Sequence, residues 1–111
     1  MEYNREFLTG TMTVLLLSLL SERPMYGYEI LLEATRRSAR AFQMKEGTLY
    51  PALHKLERNG MLKSEWKDSP SGRSRKYYSL TAKGRRRARS KRQQWLHISA
   101  AMRSILGDGH A

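Results

Sequence analysis

The spacing of apolar residues changes character at Asn59-Gly60, and that change limits what the chain can become. Before it, apolar side chains recur at three- and four-residue steps. After it, two short runs alternate with period two, and helical spacing returns from Thr81. The expected fold is therefore mainly α with one small β-hairpin. At 111 residues there is room for one domain, not two.

The first helix is expected over residues 6–20, with Phe7, Leu8, Met12, Leu15, Leu16, Leu19 and Leu20 at helical steps. Val14 and Leu17 make it apolar nearly all round, so it must be covered on several sides, one of them by a partner subunit. Pro24 ends it, because proline disfavours helix in the residue before it. A second helix, from about Met25 to Ser38, carries the stripe Tyr26, Ile30, Leu31 and Ala34, and a Glu33–Arg37 pair one turn apart. A third, near residues 46–58, turns Leu49, Ala52, Leu53 and Leu56 inward. Thr48, Tyr50, Pro51, His54, Lys55 and Arg58 then point away. Pro51 calls for a start near Gly47 or a distorted early turn.

Leu62, Ser64 and Trp66 alternate with their neighbours up to the turn Asp68-Ser69-Pro70-Ser71-Gly72, and alternation resumes from Arg73 to Leu80. Tyr78 should point inward with Leu80, and Trp66 should anchor the core or the hairpin. Thr81 is an N-cap residue for a last helix over residues 82–106, roughly 37 Å long. Ala88, Trp95, Ile98, Met102 and Ile105 form a heptad-like seam on it. The rest of the chain is too small to cover that seam, so the same helix of a second copy is the expected cover. Leu8 and Leu15 of the first helix join this dimer surface. Residues 107–111 read as a flexible tail, and the domain as a DNA-binding part over 1–81 with the last helix packed on it.

Charge points to the partner. Residues 1–60 hold 8 basic and 7 acidic side chains, residues 61–111 hold 13 and 3, and the whole chain is at +11. A neutral half followed by a strongly basic half suits a polyanion, nucleic acid before anionic membrane. The longest apolar run, Val14 to Leu20, is interrupted by Ser18 and falls far short of the roughly 20 residues of a membrane span. With Glu2 and Glu6 and no basic start, the N-terminus does not read as a secretory signal. There is no cysteine, which suits a reducing cytoplasm and removes thiol chemistry. His54, His97 and His110 have no ligand spacing, and no catalytic triad or phosphate loop is present. Neither an enzyme nor a metal or other cofactor is expected.

Helices two and three make a helix-turn-helix, and a basic hairpin after them makes the wing of a winged helix. A helix fits the DNA major groove, and its outward polar face reaches base edges. Candidate DNA contacts are Thr48, Tyr50, Pro51, His54, Lys55 and Arg58 on helix three, Tyr26 at the start of helix two, and Arg73, Arg75 and Lys76 on the wing. Arg75 and Lys76 should lie on opposite faces of the hairpin, so only one of the two is expected in the groove. Packing against helix three is the other role open to Tyr26, and the favoured one for Tyr28. Lys83 to Arg92 holds seven basic residues in ten, either a solvated face or a backbone contact flanking the operator. The competing reading of the whole is a non-specific nucleic-acid-binding protein, architectural or RNA-binding, driven by this arginine stretch.

The chain resembles the PadR family of bacterial winged-helix transcriptional regulators. The resemblance rests on Tyr26-Gly27-Tyr28-Glu29-Ile30 and on Gly47-Thr48-Leu49-Tyr50-Pro51-Ala52-Leu53. It continues through Leu56-Glu57, Asn59-Gly60, Trp66, Arg75-Lys76-Tyr77-Tyr78-Ser79-Leu80-Thr81 and Gly84. The length and single last helix resemble the short subgroup, although so basic a start to that helix departs from the family. The resemblance implies a homodimer on an inverted-repeat operator, in the bacterial cytoplasm and on the nucleoid when bound. It implies repression of a nearby promoter, and release by a small molecule in some members. In ligand-binding members a tryptophan at the spacing of Trp95 meets its dimer mate, and flat aromatic molecules stack between the two. Met12 and Met102 would help line that site.

Overall fold

The computed structural model describes the backbone of residues 5–107 and the side chains of residues 10–107. The elements follow in the order α1 (Arg5–Leu20), β1 (Met25–Tyr26), α2 (Gly27–Arg37), α3 (Glu46–Arg58), β2 (Leu62–Asp68), β3 (Ser74–Leu80) and α4 (Ala82–Leu106). The expected helices and hairpin are present. Of the expected tail, residues 108–111 lie outside the described residues.

One element differs from expectation. Met25 and Tyr26 do not begin the second helix; they form a short strand antiparallel to β3, pairing Met25 with Tyr78 and Tyr26 with Tyr77. The hairpin is thus the outer part of a three-stranded sheet of order β1-β3-β2. A turn at Ser21-Glu22 leads through Pro24 into β1, and α2 then starts at Gly27 with the Glu29 carboxylate accepting from the Tyr26 N–H at 3.4 Å. Pro51 sits in the second turn of α3, so the helix starts at Glu46 and continues through a proline that removes one hydrogen bond.

The core lies between α1, α2, α3 and the inner face of the sheet. Leu16, Leu17, Met25, Ile30, Leu49, Leu53 and Tyr78 are fully buried there. Burying each such side chain stabilises the fold by roughly 1.5–3 kcal/mol. Ala88 of α4 belongs to this core as well, so the uncovered apolar seam starts beyond it.

The start of α4 is tied to the end of α3. Thr81 Oγ1 accepts from the Gly84 N–H at 3.0 Å and donates to the Gly60 carbonyl at 2.6 Å. Lys83 Nζ donates to the Asn59 carbonyl at 2.7 Å. A Cβ on Gly84 would stand 2.1 Å from the Met61 carbonyl oxygen, so only glycine allows the helix this close to the chain entering β2. From there α4 runs out past the body of the domain, and the molecule measures 54 × 29 × 23 Å.

Candidate nucleic-acid interface

At 100° per residue, Gly47, Thr48, Pro51, His54, Lys55 and Arg58 fall within an arc of about 120° on α3. All six are exposed. Leu49, Leu53 and Leu56 occupy the opposite side and are buried. The helix is held by its apolar face and offers a continuous polar one. Tyr50 lies at the edge between the two. Its ring rests on Gly27, where a Cβ would stand 2.3 Å from the Tyr50 hydroxyl. His54 follows it along α3, with ring centroids 6.4 Å apart.

An open groove separates α3 from the hairpin. It is bordered by Glu46, Tyr50 and His54 of α3, by Tyr26, Gly27 and Tyr28 at the start of α2, and by Trp66, Arg73, Arg75, Lys76 and Tyr78 of the hairpin. Six of the ten DNA candidates therefore share one concave surface. Thr48, Pro51, Lys55 and Arg58 do not border it and continue the exposed arc of α3 beside it.

Aromatic rings position the cations. The Arg75 guanidinium stacks 4.3 Å from the Tyr26 ring centroid, and Tyr26 meets Tyr77 edge-on at 5.5 Å. Lys76 Nζ lies 5.5 Å from the Tyr78 ring centroid. Such contacts fix the direction of long side chains without neutralising them. Arg75 and Lys76 start from opposite faces of β3, and both border the groove, Arg75 where it stacks on Tyr26. Arg73 ends the wing loop, where the Ser69 N–H donates to its carbonyl at 2.9 Å and Gly72 takes φ +85°. Burial pushes the Tyr78 phenol above its usual pKa, with the charge of Glu57 and the neighbouring Tyr50 adding to the rise. Tyr78 therefore floors the groove as a neutral ring. Glu46, the one acidic side chain on the rim, sits in the first turn of α3, where the helix dipole favours it.

Two rim residues depart from expectation. Trp66 is no buried anchor but is 67% exposed. Tyr28 is exposed as well, not packed under α3. The parity of β2 does place Trp66 on the same face as Leu62, but at Trp66 the open groove stands between that face and α3.

A second groove runs between α1, the end of α2 and α4. Val14, Leu15, Leu19, Phe42, Ala88 and Trp95 supply its apolar lining, and Arg37, Arg85, Arg89 and Arg92 its cations. Trp95 also borders a shallower hollow with Gly10, Val14, Gln94 and Ile98. Met12 is buried in the core and lines neither, and Met102 lies two turns beyond Trp95 on α4. Trp95, Leu96, Ile98, Met102, Ile105 and Leu106 are all exposed. Leu15 is half-buried, and the Leu8 side chain lies outside the described residues. Among the described residues no group of three His, Asp or Glu could hold a metal ion, and no helix is long and apolar enough to cross a membrane.

Comparison with known proteins agrees with this geometry. Residues 16–90 match the transcriptional regulator PadR-like family. A transcriptional regulator of Mycobacterium tuberculosis is 33% identical over 81 residues, 73% of this chain and 72% of the relative. A Streptococcus transcriptional regulator of known structure superposes with a TM-score of 0.81 at 31% identity, covering 92% of this chain and 98% of the other. A PadR-like regulator of Bacillus cereus gives 0.81 at 27% identity, covering 91% and 96%. With two thirds of the chain matched and the winged helix superposed throughout, the protein belongs to the PadR-like family: it is a transcriptional regulator, not an enzyme.

Proposed function

We propose that two copies of this chain, joined by α4 with help from α1, bind double-stranded DNA at an inverted-repeat operator and repress a nearby promoter. The observation that carries this reading is the shared groove. Tyr50 and His54 of α3 and the cations of the wing share it, with the rest of the polar arc of α3 beside it, α3 sized for the major groove and the wing loop for the flanking strand. Thr48, Tyr50, His54, Lys55 and Arg58 supply base-edge and strand contacts from α3. Tyr26, Arg73, Arg75 and Lys76 hold phosphates, and Pro51 packs close to the backbone. The complex forms in the bacterial cytoplasm, on the nucleoid.

The dimer follows from the outer half of α4. Among the described residues its apolar side chains stay largely exposed, and Trp95, Ile98, Met102 and Ile105 repeat at coiled-coil steps. A flat aromatic molecule held between the two Trp95 indoles, with Val14 and Leu15 beneath them, is the proposed releasing effector.

Fluorescence anisotropy with promoter DNA from beside the gene and a scrambled duplex tests the reading. Tyr50→Ala combined with His54→Ala should lower the preference for promoter DNA at least tenfold. Neutralising Arg85, Arg86, Arg87 and Arg89 should weaken both duplexes together. A scrambled duplex bound as tightly as the promoter would overturn specific recognition and leave a non-specific nucleic-acid binder.

A further inference from the structure

Among the described residues, Trp66 is the largest apolar side chain that the winged-helix body leaves open. On the inner face of the hairpin, Leu62 and Tyr78 are buried, and Ser64 donates to Glu57 of α3 at 2.6 Å. Trp66 comes next, opposite Lys76, where the open groove separates the hairpin from α3. The indole therefore faces the groove and contributes little to the core.

We propose that Trp66 packs its indole against the deoxyribose of the DNA strand lying in this groove. The proposal rests on reading the groove as the DNA interface. A duplex with α3 in its major groove passes the intervening strand between α3 and the wing. That strand alternates charged phosphates with uncharged sugars. Arg73, Arg75 and Lys76 match the phosphates, and one acidic side chain, Glu46, opposes them. Trp66 supplies the broad uncharged surface between these cations. A flat ring on a sugar excludes water from both without needing a particular base.

A sugar contact reads no sequence and displaces no counterion. Trp66→Ala should thus weaken promoter and scrambled duplex by the same factor, roughly tenfold, with the salt dependence of log K unchanged. Arg73→Ala should instead flatten that slope by about 0.9. Trp66→Phe should recover most of the affinity. The difference between wild-type and Trp66→Phe emission isolates this indole, which should shift blue and resist acrylamide quenching as DNA is added. Unchanged emission at saturating DNA, unchanged Trp66→Ala affinity, or a loss confined to promoter DNA would each overturn the sugar contact. A Trp66→Ala protein that no longer folds would also overturn it, marking a hairpin anchor. Wild-type protein that binds no duplex at all by anisotropy would sink the underlying function with it. Binding with a silent Trp66 sinks this inference alone.

Discussion

Gly27 and Gly84 both permit close approaches, but of different kinds. At Gly84 the obstacle is backbone, the Met61 carbonyl, which cannot swing aside. Gly84→Ala should destabilise the protein by about 2–3 kcal/mol in urea unfolding, as overpacking of a fixed site does. At Gly27 the obstacle is the end of the Tyr50 side chain. Gly27→Ala should therefore change stability by less than about 1 kcal/mol while displacing Tyr50 and weakening promoter binding. A second pair of positions stores strain in the turn between α2 and α3, where Ala39 and Arg40 take φ of +50° and +71°. Arg40→Gly should raise stability by about 1 kcal/mol, measured the same way. How far single residues were legible follows from these neighbours. The outward set on α3 came directly from its spacing, because one helix decides it. The exposure of Trp66 did not, since alternation gives the face of a strand but not whether a helix packs on it or stands off across a groove. The fold of Arg75 over Tyr26 was hidden for a similar reason: it depends on a strand 49 residues away in sequence pairing beside it.

Elements are held by their ends as much as by their faces. Thr81 caps α4 and bonds the turn after α3, so Thr81→Ala should cost about 1–2 kcal/mol, read from the urea midpoint. The end of α2 is tied to the chain after α1 by charge. Arg37 pairs with Glu22 and, at 3.0 Å, with Glu33; Arg36 reaches Glu33 at 2.7 Å. Hydrogen bonds from Arg37 hold the Glu22 carboxyl below its usual 4.5, and those from Arg36 and then Arg37 do the same for Glu33. Because these values are lower in the folded state, the stabilisation is present above pH 4.5 and is lost as pH falls through the folded values. Glu22→Gln should accordingly flatten the fall of the melting temperature on the acid side. The helices were legible from apolar spacing and the last one from its cap. The strand β1 was not, because two residues carry no period, and its pairing is set by Tyr77 and Tyr78 far along the chain.

Across the whole molecule, charge and apolar surface are sorted to different ends. The near-neutral half supplies most of the core and α3, and the basic half supplies the wing and the stem of α4. Beyond that stem α4 exposes Trp95, Ile98 and Ile105, the last at 77%. Ile98→Glu with Ile105→Glu should convert a dimer to a monomer in sedimentation and cut promoter affinity at least a hundredfold, since each copy would hold one half-site. The arginines of α4 should set salt dependence more than selectivity. The central claim, that a dimer reads DNA sequence with α3 and the wing, is tested most directly by selection from a random duplex library with the wild-type protein. A dimer of this fold should enrich an inverted repeat whose half-sites lie about one helical turn apart, roughly 10–10.5 base pairs centre to centre or a multiple of that. A selected pool that stays as random as the input would contradict it.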